Sequence, residues 1–155
     1  MALQPAWEWS VKVPFTKRFP TVLKEEMMLV VCGMVPEDSK HFVINFQQGE
    51  EPVSIPFHFA PCFDGGKDKV VYSCQVDKNW APMQDKCCDL NMRGKKFNLT
   101  FFFWKNCYQA CLNGTHLLIY DHSESDWKID TVNIYGTVKV DSVKAYDLHC
   151  AKSGS

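Results

Sequence analysis

The apolar positions of this chain recur in short runs, and almost none of them follow a helical period. Met27-Met28-Leu29-Val30-Val31-Cys32-Gly33-Met34-Val35 is rich in β-branched residues and is closed by Pro36. Phe42 to Phe46 follows, and then a turn-rich stretch from Gln47 to Pro52. Ile55-Pro56-Phe57-His58-Phe59 is bounded by Pro61 and by Gly65-Gly66, and Val70 to Cys74 reads as another strand. Phe97 to Trp104, Cys107 to Leu112 and His116 to Tyr120 continue the series, while Thr131 to Tyr135 and Thr137 to Val143 flank Gly136. Asn113-Gly114 between two of these runs predicts a type I′ hairpin, because that turn needs positive φ at both central residues. Phe101-Phe102-Phe103-Trp104 does not alternate, which predicts a strand buried on both faces. Cys107 and Cys111, four apart, fall on one face of their strand. Ser125 to Ile129 is the one segment that reads as a helical turn. The pattern as a whole predicts about nine to eleven short strands in an antiparallel sandwich or barrel. No internal repeat and no linker divides the chain.

Composition narrows the function classes. The chain has 155 residues, 46% of them hydrophobic and 23% charged, which excludes a disordered or low-complexity protein. A net charge of −1 gives no electrostatic footprint for nucleic acid or an anionic membrane. No apolar run approaches the roughly 18 residues needed to span a bilayer, so no membrane insertion is expected. The aromatic share of 14% favours a β-rich core.

The unusual feature is cysteine, of which there are 8. No CxxC occurs and no Cys/His cluster has metal-ligand spacing, so no metal or other cofactor is implied. The start, MALQPAWEW, lacks the basic and apolar regions of a secretory signal. A cytoplasmic chain with reduced thiols is therefore expected, most of them small buried hydrophobes and one or two exposed. The sequons at Asn98 and Asn113 matter only in the secretory pathway. No paired carboxylates, phosphate loop or catalytic triad appears, and the reading is that the protein is not an enzyme. His58 and Cys62 come nearest to a Cys/His dyad, but Pro61 between them is expected to bend the strand.

Several motifs, in order, resemble the galectins. His41-Phe-Val-Ile-Asn-Phe-Gln47 and Ile55-Pro-Phe-His58-Phe-Ala-Pro-Cys-Phe63 are similar to that family's FxVNFQ and FHFNPRF segments. The likeness extends from Val13-Pro14-Phe15 through Val70-Val71-Tyr-Ser-Cys74 and Trp80-Ala-Pro82. It continues through Gly94-Lys-Lys-Phe-Asn-Leu99, Leu112-Asn-Gly-Thr-His-Leu117 and Ile129-Asp-Thr-Val-Asn-Ile-Tyr-Gly136. The resemblance implies a two-sheet antiparallel β-sandwich of the galectin or jelly-roll type with about eleven strands, in sheets of five and six. It implies one carbohydrate-recognition domain over residues 1–152, with Ser153–Ser155 a flexible tail. It also implies a glycan or glycoconjugate partner, and either a homodimer or a second galectin domain, since Thr131 to Val143 is similar to tandem-repeat galectins. Export without a signal peptide is a further implication.

The implied sugar site departs from the family pattern. The His of HxNPR is present as His58, but its Asn is Ala60 and its Arg is Cys62. The Asn of VxN is Ser73. The Trp of WGxExR is Trp80, while the Glu and Arg positions hold Met83 and Asp85, with Gln84 between them. Carried over residue by residue, the candidate carbohydrate-binding set is His58, Trp80, Ser73, Asn45, Gln84 and Asp85. An arginine supplies a pre-organised fork for sugar oxygens, and each charged hydrogen bond contributes about 1.5–3 kcal/mol. A millimolar to sub-millimolar lectin site holds only about 4–6 kcal/mol in total. Two readings follow: a glycan-binding module whose lactose binding is weak, altered or absent, or a protein-interaction module on a scaffold that has lost sugar.

Overall fold

A computed structural model of the chain describes residues 4–52, 54–121 and 128–148. The described residues form thirteen strands. One sheet has six strands in the order β1 (Trp7–Ser10), β13 (Lys139–Asp147), β3 (Met27–Val35), β9 (Lys95–Phe103), β10 (Cys107–Leu112) and β11 (Thr115–Asp121). The other has seven: β2 (Phe15–Arg18), β12 (Thr131–Gly136), β4 (Phe42–Gln47), β5 (Ile55–Cys62) and β6 (Lys69–Val76), the last paired with both β7 (Asn79–Trp80) and β8 (Gln84–Cys87). All the strand pairings are antiparallel. The expected sandwich is thus the observed one, with thirteen strands in place of eleven and sheets of six and seven in place of five and six. The additional strands are short and lie at the edges of the sheets, and β7 is two residues long. Such segments carry too little periodicity to be read from sequence.

The sheets meet through their aromatic faces. Phe46, Phe57 and Phe59 from one sheet pack against Phe101 of the other, with centroids 4.9, 6.2 and 5.0 Å apart and rings edge to face. Edge-to-face contacts suit the quadrupoles of the rings and add about 0.5–1.5 kcal/mol each beyond the area they bury. The expectation that Phe101 to Trp104 is buried on both faces is corrected. Phe101 and Phe103 point inward, whereas Phe102 is half-buried on the outer face, stacked at 5.4 Å on the exposed Trp104. Outward aromatics that cover one another conceal the period of two.

Turn chemistry fixes the connections. Asn113 and Gly114 have φ of 51° and 83°, as the hairpin reading required. Gly136 ends β12 at φ 105°, and a Cβ there would stand 2.7 Å from the Phe42 backbone. Of the proposed helical turn, Ser125 to Trp127 lies outside the described residues, and Lys128 and Ile129 have no regular structure. The proposed tail, Ser153–Ser155, and Cys150 also lie outside them. The seven described cysteines are free thiols, but only Cys74 among them is buried; Cys87 is exposed and the rest are half-buried. Buried small hydrophobes were therefore the wrong reading for most of these thiols. Cys107 and Cys111 do share a face, the outer one, because Tyr108 and Ala110 take the core positions between them.

Candidate functional site

The outer face of the seven-stranded sheet carries the candidate residues, and its register can be followed strand by strand. On β12, β4, β5 and β6, Asn133, Asn45, His58 and Ser73 are successive cross-strand partners, and Thr16 of β2 lies opposite Asn133. These strands alternate, with Val132, Ile134, Ile44, Phe46, Phe57 and Phe59 directed to the core at 0% exposure. The polar residues between them are left on the other side. Four of the five row residues form a hydrogen-bonded chain. Asn133 Nδ2 donates to Thr16 Oγ1 at 3.0 Å, Asn45 Nδ2 donates to Asn133 Oδ1 at 3.2 Å, and His58 Nδ1 lies 2.7 Å from Asn45 Oδ1.

Trp80 reaches this row through a tight hairpin. Asp77 and Lys78, with φ of 49° and 65°, form the two-residue turn between β6 and β7. The turn pairs Gln75 with Trp80 and sets the indole edge to face with His58, centroids 5.0 Å apart. Trp80 is 44% exposed and Met83 54%, so the indole offers an accessible apolar surface beside an imidazole. Burial pushes the His58 pKa down to about 4, which keeps the ring neutral at physiological pH.

The remaining candidates divide. Ser73 is fully buried and donates to the carbonyls of Ala81 and Pro82 at 3.1 and 3.4 Å, so it ties the Trp80 segment to β6. Asn45 is 5% exposed and engaged with its two neighbours in the row. Asp85 pairs with Val71 and therefore shares the His58 face, where it meets Lys69 at 3.9 Å. Gln84 does not share that face: it pairs with the core-facing Tyr72, and Lys86, two residues on, reaches the Leu117 carbonyl of the other sheet. Cys62 lies on the His58 face, since β5 runs through Pro61 to the His41–Cys62 bridge. The bend expected at Pro61 does not separate the two: β5 stays in register with β6 through Cys62, and the proline, with no N–H to give, leaves only a gap in the β4 ladder opposite Ala60 and Pro61. The Cys62 thiol donates to Ala60 O at 3.4 Å, and burial raises its pKa against the opposing pull of Lys69. Ala60 and Val71 are cross-strand partners, so the floor next to the polar row is apolar.

Sequence reasoning missed Thr16 and Asn133. Strand alternation in Thr131-Val132-Asn133-Ile134 carried the signal, because an asparagine between two core residues must face out. A depression of about 480 Å³ lined by Gly66, Lys67, Asp68, Cys87, Cys88 and Asp89 shares no residue with this row. No group of three or more metal-ligating side chains occurs among the described residues. No helix among them is long and apolar enough to cross a membrane.

Two-sheet antiparallel jelly rolls include lectin domains. The family model described as galactoside-binding lectin matches residues 14–145. Rat galectin-8 is 30% identical over 135 residues, covering 84% of this chain and 42% of that protein. Human galectin-4 is 28% identical over 132 residues, covering 84% of this chain and 41% of that protein. The chain belongs to the galectin family of galactoside-binding lectins, and it spans about two-fifths of the length of these relatives. Among solved structures, Caenorhabditis elegans galectin LEC-6 matches with a TM-score of 0.78 at 19% identity, covering 89% of this chain and 94% of that one. Chicken galectin 2 matches with a TM-score of 0.75 at 23% identity, covering 85% and 98%. These two show the fold.

Proposed function

We propose that this chain is a glycan-binding lectin domain whose galactoside groove is degenerate, so that it binds lactose weakly and by a reduced set of contacts. The observation that carries this reading is the His58–Trp80 pair, an exposed indole against a half-buried imidazole, beside positions that lack the family's donors. An indole can press on the apolar C–H face of a sugar, and the neutral imidazole can hold one hydroxyl. Ala60 and Cys62 stand where the family pattern has Asn and Arg, and Met83 and Asp85 where it has Glu and Arg. Neither an alanine methyl nor a neutral thiol replaces a guanidinium fork, and Asp85 reverses its sign. Losing even two charged hydrogen bonds of about 1.5–3 kcal/mol each removes most of the roughly 4 kcal/mol of a millimolar site. Family membership also supports synthesis in the cytoplasm, export without a signal peptide, and function beside a second domain or a second copy.

The exposure of Met83 next to Trp80 favours a second reading, a protein-interaction surface on the same face. A glycan array with a lactose titration separates the two. Saturable binding to a glycan, lost in Trp80→Ala, supports the lectin. Silence across galactosides and mannosides, together with a lactose-insensitive protein partner lost in Met83→Ser, supports the alternative.

A further inference from the structure

In the six-stranded sheet, β10 and β11 slip out of step by one residue. Gln109 pairs with Ile119 and Ala110 with Leu118, but Cys111 pairs with His116. Leu117 is the extra residue: it turns into the core beside Leu118, and Lys86 of the other sheet donates to its carbonyl. A regular ladder would set Leu117 opposite Cys111. The bulge instead sets an exposed imidazole against a half-buried thiol on the outer face, the re-aiming of a side chain that such irregularities achieve. One amide then joins the pair. Trp104 Nε1–H can only donate, and Gln109 Oε1 accepts from it at 2.9 Å, so Gln109 turns Nε2 the other way. That nitrogen donates to His116 Nδ1 at 3.0 Å and to Cys111 Sγ at 3.7 Å. His116 Nδ1 is therefore the unprotonated nitrogen of its ring. A sulfur and a bare imidazole nitrogen thus direct lone pairs at one point, which a positively polarised amide group fills. Among the described residues no third metal-ligating side chain joins them.

We propose that Cys111 Sγ and His116 Nδ1 form a two-donor site for Cu(I), opened when the Gln109 amide swings out of the point on which they converge. A thiolate and a neutral imidazole are the donors that suit copper, and Cu(I) is satisfied by two ligands in line, whereas Zn(II) asks for four. The ion takes the place of the thiol proton, which leaves for solvent. Thiolate and Cu(I) together are neutral, which suits a half-buried place. Swinging out deprives Trp104 Nε1–H of its acceptor, so that indole reports on the event. The site lies on the opposite sheet from His58 and Trp80 and is independent of the glycan-binding reading.

Cu(I) held by a competing chelator and added anaerobically to the reduced, ¹⁵N-labelled full chain tests this, with NMR reading the site and the chelator's absorbance the affinity. The first equivalent is expected to move His116 Nδ1 and the Trp104 indole N–H and to leave the Trp80 indole in place. Cys111→Ser and His116→Ala are each expected to weaken that first equivalent by at least about tenfold. Cys87→Ser, which removes the exposed thiol, is expected to leave it unchanged. Gln109→Ala, which takes away the competing amide, is expected to bind at least as tightly as wild type, and weaker binding there would make Gln109 a ligand and overturn the two-donor set. A first equivalent that leaves His116 unmoved overturns the proposal without recourse to any variant, and so does wild-type affinity in both Cys111→Ser and His116→Ala. Zn(II) held at the same pair as tightly as Cu(I) overturns the choice of metal.

Discussion

Two neighbouring rows cross the outer face of the seven-stranded sheet. In the first, Thr16, Asn133, Asn45 and His58 are joined by hydrogen bonds of 3.0, 3.2 and 2.7 Å. In the second, Tyr135 pairs with Val43, Ala60 with Val71, and Val71 with Asp85, so the row is apolar between its two end residues. The first row is self-sufficient: each polar group has a protein partner, and one nitrogen is left over for a ligand. The second offers one neutral donor, the Tyr135 hydroxyl at its far end, and its one charge is matched by Lys69. A sheet face can change its polar side chains without losing its fold, because the core faces of the same strands are untouched. Phe57 and Phe59 flank His58 in sequence and hold β5 in place whatever stands at positions 58, 60 and 62.

Refilling the second row and the positions beside it is expected to have the largest effect. The combined variant Ala60→Asn, Cys62→Arg, Met83→Glu and Asp85→Arg should bind lactose at least a hundredfold more tightly than wild type, about 3 kcal/mol, as measured by calorimetry. Breaking the first row comes next. Asn45→Leu strands His58 Nδ1 and Asn133 Oδ1 and should cost about 1–3 kcal/mol in urea unfolding, whereas Val71→Thr in the second row should change stability by less than about 0.5 kcal/mol. Acid then distinguishes the rows. His58 takes up a proton near 6.5 when unfolded but only at about 4 when folded, so its contribution to stability falls as pH drops through that window and levels off below it. After allowance for solvent screening, the loss should be about 1–2 kcal/mol and should be absent from His58→Gln, read as the difference between the two unfolding profiles. The smallest effect is expected at the exposed Lys69–Asp85 pair, where Lys69→Ala should shift stability by less than about 0.5 kcal/mol.

The core was legible in the sequence because its strands are long, β-branched or aromatic, and separated by turn residues with a stated job, such as Asn113-Gly114. The edges were not. Trp7–Ser10, Phe15–Arg18 and Gln84–Cys87 are four-residue edge strands, and four residues are too few to distinguish a strand from a loop. The His58–Trp80 pair could be named from motif resemblance, yet Ser73 in the same set proved to be a buried tie to the Ala81 and Pro82 carbonyls. Gln84 was out of phase for a simple reason: moving one residue along a strand reverses the face. Asn133 was legible by alternation alone, but its partnership with Asn45 spans 88 residues and exists only once β12 and β4 are paired.

The most direct test of the contrast between the rows is a lactose titration of the wild-type chain followed by NMR at the His58 ring and the Trp80 indole. Both signals are expected to move together towards saturation with a Kd weaker than about 1 mM, which corresponds to less than about 4 kcal/mol. Saturation well below 1 mM would contradict the loss of the second row, and lactose binding that leaves both signals unmoved would contradict the role of the first.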